Sequence, residues 1–446
     1  MKVVFLFIPS YVYCFDLLRT KYIEYLSQKY KVIVFLAGNE YFETYYKSKN
    51  VEYKVWELTE NKFWGRMKLL RIGLIKEFDN LLSVKLHYEN AFIDWRRKIL
   101  RAVAQIWPFN IKASFFTKIE KLLLPNSTIF KEHIEKYKPS LVLTCTPGYS
   151  RMEAEIIALS GKNNLKTVAI NFSWNNLTTH CKHTRKTDYL FTWNNIIKKE
   201  AVEIHKYNKD NVFVTGALRF DYYLDNEFSK IHKDDFIISK NLNPRLKTIL
   251  LATASPGVYP YHKELIEILL KLRDDEKAIP FCNIFIRVHP KDSVDKYVTF
   301  KDIKNVHIEG AGKERMVYKG SRHNVEMELD DFANLKNTLR YCDISINYTS
   351  TITLEALVFD KPTINIGFPR ESKRRHYEYV HYRKIIEKGA VRLAKDEEEF
   401  RDYINMYYKN PKIDQAQRKE IAKEFLGFMD GLSYERSVDF LEKIIN

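Results

Sequence analysis

Two short segments of this chain combine residue types that hold anions. In IFIRVHPKD (Ile284–Asp292) an apolar run passes into Arg287, His289, Pro290 and Lys291. Proline cannot donate to a strand ladder, so the strand stops there and leaves an imidazole at the sheet's edge with cationic neighbours. A turn histidine held by its own loop has the same pattern. In CDISINYTSTITLEALVFDKPTINIGF (Cys342–Phe368) a short apolar run enters Thr349, Ser350, Thr351 and Thr353, and a helical pattern follows with Glu355 in its first turns. Hydroxyls beside unpaired amides at a helix N-terminus suit a phosphate. A carboxylate near that mouth suits ribose hydroxyls. An N-capping cluster ahead of a buried helix uses the same residues, and both readings stand at this level.

The surrounding pattern says what positions these segments. Val3–Ile8, Val32–Leu36, Leu141–Thr144, Thr167–Ile170, Tyr189–Thr192 and Val212–Thr215 are short, nearly continuous apolar runs separated by helical segments. That alternation predicts strands buried on both faces of a parallel, doubly wound sheet. The rhythm restarts at Thr248–Ala252 after the polar stretch around Lys240–Leu246, with a joint near 236–247, and continues through Ile284–Val288, Val306–Ile308, Ile344–Asn347 and Thr363–Ile366. The expected fold is therefore α/β, with two Rossmann-like lobes facing across a cleft. The first would span 1–236, the second 247–430, and an amphipathic helix in 431–446 would cross back to the first. Residues 61–124 hold no convincing strand. They read as a basic, aromatic helical insertion: either a solvated basic face over a core, or a surface for an anionic membrane.

Composition narrows the function classes. The 446 residues are 45% hydrophobic and carry a net charge of +16, which excludes global disorder and allows large cores. No apolar stretch reaches the ~18 residues of a spanning helix. The opening MKVVFLFIPSYVYCFDLLRT, broken by Pro9 and lacking a small-residue cleavage site, reads as a buried strand, not a leader. Five cysteines without CxxC spacing fit thiols in a reducing cytoplasm and offer no zinc site. The expected location is the cytoplasm, including the inner face of a membrane if 61–124 docks there.

The motif order, RxHP after one strand and then DISxxxxST…LEAL…DKPxI, resembles the nucleotide-binding lobe of GT-B glycosyltransferases. The branch it looks most like includes bacterial surface-polysaccharide transferases, polyol-phosphate transferases of the CDP-glycerol type, and bacterial sialyl- and Kdo-transferases with HP and SS/ST motifs. NFSWNNLTTH (Asn171–His180), DYLFTWNNIIKKEAVEIH (Asp188–His205), VFVTGALRFDYY (Val212–Tyr223) and GFMDGLSYERSVDFL (Gly427–Leu441) are similar to further motifs of such proteins, so the likeness covers roughly 140–446. The resemblance implies that His289, Ser350 and Thr351 meet the donor's phosphates and Glu355 its ribose, with Thr349 and Arg287 in support. The implied substrates are a nucleotide-activated donor of the CMP, CDP or UDP type and a glycan or lipid-linked acceptor. No cofactor, metal or nucleic acid is implied.

Two departures bear on mechanism. SWNN carries Asn175 where the pattern has a carboxylate, and Asn347 stands eight residues before Glu355, where retaining enzymes carry a second Glu. Asn175 cannot act as a base, and Asn347 favours direct inversion, which needs a general base. Asp16, after the first strand, and Glu153, in TPGYSRMEAE, are the best-placed carboxylates, ahead of Asp221 and His180. Asp330-Asp331 and Asp274-Asp275-Glu276 read as solvated charge, not a metal motif. Two other readings stay open: a nucleotide-sugar 2-epimerase of the same shape, and a basic nucleic-acid-binding protein.

Overall fold

The computed structural model describes residues 1–37, 45–57, 95–106, 127–179, 186–314, 325–370 and 376–446, with isolated positions between them. Among these, one compact unit comprises Met1–Leu218 with Leu432–Asn446, and a second comprises Arg219–Glu314 with Val325–Gly431. The division therefore falls before Arg219, earlier than the expected joint at 236–247. The reason is Lys336, whose buried ammonium donates to the carbonyls of Tyr222, Asp225 and Phe228 and ties 219–228 to the second unit. Most of the 61–124 region, and His180, lie outside the described residues; within that region Trp95–Ile106 is a helix.

The first unit holds seven parallel strands: β1 (Val3–Ile8), β2 (Lys31–Leu36), β3 (Val51–Val55), β4 (Leu141–Thr144), β5 (Thr167–Ile170), β6 (Tyr189–Thr192) and β7 (Val212–Val214). Their order is β3-β2-β1-β4-β5-β6-β7. Side chains alternate across the sheet, so each apolar strand feeds two cores. Val4, Leu6, Val32, Val34, Leu141 and Leu143 fill one. Phe5, Phe7, Ile33, Phe35 and Val142 fill the other, where Phe7 and Phe35 stack at 4.5 Å. Val438, Leu441 and Ile444 of the final helix, Ser433–Ile445, join the first core. Gly216 admits that helix: its φ is +92°, and a Cβ there would collide with the Ser433 hydroxyl. Arg436 Nε donates to the Thr215 carbonyl at 2.9 Å beside it.

The second unit holds β8 (Thr248–Ala252), β9 (Asn283–Arg287), β10 (Val306–Glu309), a small antiparallel pair β11 (Lys313–Glu314) and β12 (Val325–Glu326), then β13 (Ile344–Asn347), β14 (Thr363–Ile366) and β15 (Arg392–Ala394). The parallel sheet runs β10-β9-β8-β13-β14-β15. One face is apolar, formed by Ile249, Leu251, Ile284, Ile286, Ile344, Ile346, Ile364 and Ile366. The other carries Thr248 beside Asn283, Ser345 beside Thr363, and Arg287, Asn347 and Asn365 together in the row that closes the strands. The two Rossmann-like sheets match the expected fold.

Candidate functional site

Ala252, Arg287 and Asn347 close β8, β9 and β13 and are register partners. Adjacent strands lie about 4.8 Å apart, so the Cα atoms of Arg287 and Asn347 are separated by about 10 Å across β8. The chain runs outward from β8 through β9 and β10, then returns to β13 on the other side of β8. The edge between β8 and β13 is therefore a topological switch point, where open parallel sheets bind ligands. The histidine loop and the hydroxyl loop leave the sheet at this one edge.

His289 is held from both sides. Its backbone N–H donates to the Thr253 hydroxyl at 2.8 Å, and its Nδ1 accepts the Lys291 N–H at 3.0 Å. With Nδ1 accepting, the neutral ring carries its proton on Nε2, which is a donor. The turn-histidine reading accounts for the Nδ1 side of the ring.

Across β8, Asn347 organises the hydroxyl loop. Its Oδ1 accepts the Ser350 N–H at 3.1 Å and the Thr353 hydroxyl at 3.0 Å. This is what the residue eight before Glu355 does in this chain: it shapes the loop as a neutral amide. Thr349 sits at φ +39°, a left-handed conformation that a β-branched residue rarely adopts. Its hydroxyl is buried and has no partner among the described residues, and the same holds for the Nδ2 groups of Asn347 and Asn365. Ser350 and Thr351 are half-buried ahead of the helix Ile352–Val358. Glu355, buried in that helix, lies 3.6 Å from the Arg219 guanidinium. Burial, and then the Glu355 charge, push the neighbouring Tyr223 phenol well above its ordinary value.

Arg287 departs from expectation. It is the register partner of Glu309 on β10, and its guanidinium is paired with that carboxylate inside the sheet's polar face. Lys240 at 2.9 Å, His307 at 3.3 Å and Asn334 converge on the same Glu309. Burial alone would raise the Glu309 pKa, but the His307 hydrogen bond and the Arg287 and Lys240 charges bring it down to about 2. Cross-strand pairing therefore gives Arg287 a structural partner at the end of the neighbouring β10.

The loop after β8, TASPGVYPYH (Thr253–His262), was not singled out by type or spacing, yet it occupies the switch point. His262 Nε2 accepts the Ala254 N–H at 2.7 Å. Burial holds this ring down at about 4, so it stays a neutral acceptor. Tyr259 stacks on Tyr348 at 4.4 Å and donates to the Phe368 carbonyl, linking the loops after β8, β13 and β14. A Ser-Pro-Gly turn directly after an apolar strand was the available signal. Arg219, quoted within LRFD, went equally unmarked.

In the first unit the corresponding switch point lies between β1 and β4. Asp16 is 5% exposed in the helix Cys14–Leu18. Glu153 is fully enclosed: its carboxylate accepts the Thr146 N–H at 2.6 Å, the Thr146 hydroxyl at 2.5 Å, the Ser150 hydroxyl at 2.9 Å and the Ser150 N–H at 3.3 Å. It completes a capping box on the helix Arg151–Lys162. Burial pushes its pKa up to about 7. Burial, and then Glu153, Cys14 and Asp16, raise the Cys145 thiol, so both carboxylates act electrostatically on one sulfur. Asn175 accepts the Ser173 hydroxyl and shapes its turn. Asp331 caps its own helix and accepts the Gly312 N–H. No group of three potential metal ligands occurs among the described residues.

No family model matches the chain, and no curated protein matches it. Solved structures do. A UDP-GlcNAc 2-epimerase from Methanocaldococcus jannaschii shares 13% identity, covers 99% of this chain and 100% of its own, and has a TM-score of 0.55. A glycosyltransferase from Rickettsia africae shares 12% over 100% and 99%, with a TM-score of 0.52. The S. aureus MnaA–UDP structure shares 13% over 100% and 97%, also with a TM-score of 0.52. At such identities the likeness establishes the GT-B-type fold.

Proposed function

We propose that the β8–β13 edge binds the phosphates of a nucleotide-activated donor, and that the chain transfers the donor's sugar, or a polyol phosphate, to a glycan or lipid-linked acceptor. The observation carrying this reading is the convergence at one switch point of a fixed imidazole donor, a strained hydroxyl loop with unsatisfied donors, and a buried carboxylate. His289 Nε2–H and the Thr349–Thr351 hydroxyls and amides would stabilise negative charge on the leaving nucleotide. Glu355, oriented by Arg219, would accept from the ribose. In an inverting transfer the acceptor oxygen bonds to the anomeric carbon as the donor C–O bond breaks, and a base takes the hydroxyl proton. Asp16 and Glu153, which follow β1 and β4, are the proposed candidates for that base.

The fold likeness serves an epimerase equally well. Epimerisation beside the anomeric carbon must remove a proton from one face and return it to the other, which takes two acid–base groups. The engagement of Glu153 in its own loop favours transfer. Thermal shift against CMP, CDP, UDP and GDP tests the donor site: stabilisation by at least one supports it, and no response to any overturns it. Incubation with the responding nucleotide sugar in heavy water separates the two reactions, since deuterium at C2 marks an epimerase. Asp16→Asn should lower turnover by about 10²–10⁴-fold with nucleotide affinity retained.

A further inference from the structure

Lys336 is 1% exposed in the helix Leu329–Tyr341, and its ammonium donates to the carbonyls of Tyr222, Asp225 and Phe228. Those carbonyls lie at and beyond the C-terminal end of the helix Leu218–Leu224, where backbone acceptors outnumber helical donors. An ammonium has three protons to donate and accepts nothing, so three carbonyls satisfy it as a buried cation requires. Around this cage Tyr222 meets the Phe332 ring edge-on at 5.8 Å, and Asn337 Nδ2 donates to the Ser229 hydroxyl at 2.6 Å. The Tyr341 hydroxyl donates to the Ile231 carbonyl. One helix thus holds 222–231 along its length.

The same short helix also meets Glu355. Arg219 and Tyr223 stand four residues apart, hence on one side of it. The Arg219 guanidinium lies 3.6 Å from the Glu355 carboxylate, and the Tyr223 phenol is pushed up by burial and then by the Glu355 charge. Glu355 itself belongs to a different helix, Ile352–Val358. The pairing therefore depends on how the helix Leu218–Leu224 is anchored. We propose that Lys336 is a positioning residue for nucleotide recognition: by gripping 222–228 it holds Arg219 against Glu355, and so aims the carboxylate at the ribose hydroxyls. The proposal rests on the reading of Glu355 as the acceptor of the ribose. For stability alone a buried ammonium is a poor choice, since a well-packed apolar side chain of similar volume avoids its desolvation. What the ammonium adds is direction, because three converging carbonyls fix where it sits. A lysine that served stability alone would leave the preference for one sugar over another unchanged when replaced.

The test compares, by calorimetry on the full chain, the nucleotide that stabilises the protein with its 2′-deoxy form. The parent should bind the ribonucleotide about tenfold or more tighter, the size of one hydrogen bond to a charged acceptor. Lys336→Met should bring that preference to within about twofold, and Arg219→Gln should do the same. Lys336→Arg keeps a cation in the cage and should retain an intermediate preference. Asn337→Ala releases Ser229 but leaves the ammonium in place, and should keep the preference of the parent. A preference unchanged in Lys336→Met, or unchanged in Arg219→Gln, overturns the proposal. Should Lys336→Met not fold, Lys336→Arg decides in its place: a preference equal to the parent's overturns the proposal, and a reduced one supports it. A parent that binds no nucleotide overturns the donor-site reading and this proposal with it. A parent that binds nucleotide without preferring ribose overturns this proposal alone.

Discussion

The two sheets share a winding and a switch point but differ in what they leave unsatisfied there. At the β1–β4 edge Glu153 takes four donors from its own loop and caps its own helix, and the Ser10 hydroxyl after β1 is left buried without a partner among the described residues. At the β8–β13 edge the polar groups outnumber their partners: the Thr349 hydroxyl, the Asn347 and Asn365 amides and His262 Nδ1 are buried without partners among the described residues. Orphaned buried donors cost about 1–3 kcal/mol each, so a fold keeps a cluster of them where something else supplies the acceptors. The same topology thus yields two edges that differ in how many buried donors they leave over. The faces differ in parallel: the first sheet is apolar on both sides, and the second lays a polar row beneath its loops.

Four experiments press on this contrast. The largest effect is expected from His289→Ala, which removes the imidazole at the β8–β13 edge. Turnover should be abolished and nucleotide affinity should fall by about 10–100-fold by calorimetry, with the melting temperature nearly unchanged; a large loss of stability with affinity intact would move His289 to a purely structural role. Next is Glu309→Ala, which leaves Arg287 buried without its partner. A loss of about 3–5 kcal/mol in urea unfolding is expected. The folded carboxyl lies at about 2, below its unfolded value, so its contribution is present above about pH 4.5 and fades as pH falls toward 2.

Glu153→Ala removes the capping box at the β1–β4 edge and should cost about 1–3 kcal/mol. Here the folded pKa is raised to about 7, so the contribution is full below about pH 4.5 and declines as pH rises through 7. The parent's stability slope across that window should flatten in the variant, measured by unfolding at pH 5 and pH 8. The smallest effect is on stability in Thr349→Gly. Relief of the positive φ and the looser unfolded chain should offset each other to within about 0.5 kcal/mol. Nucleotide affinity should still drop several-fold, because the hydroxyl is gone. Unchanged affinity would remove Thr349 from the site.

Much of this architecture was legible from local pattern. Runs such as VVFLFI and TILLA are too apolar and too short for anything but strands buried on both faces, and their alternation with helices implied two parallel sheets. The HP and hydroxyl loops were legible because Pro290 stops a strand and Ser/Thr clusters open helices. The loop Thr253–His262 was harder to see, since His262 and Tyr259 act through a backbone amide and a ring stack that no local spacing announces. Arg287 looked like part of a cationic rim because its partner, Glu309, lies on another strand.

Residue order alone determined which segments are strands, which loops follow them, and which side chains those loops bring: such choices depend on neighbours within a few positions. Tertiary structure decided which loops share an edge, which charges neutralise each other, and which donors remain over. Strand register is a long-range property, and it joins Arg287 to Glu309 and aligns Arg287, Ala252 and Asn347 in one row. The orientation of His289, the unpartnered hydroxyl of Thr349 and the enclosure of Glu153 follow from contacts that only folding makes or withholds.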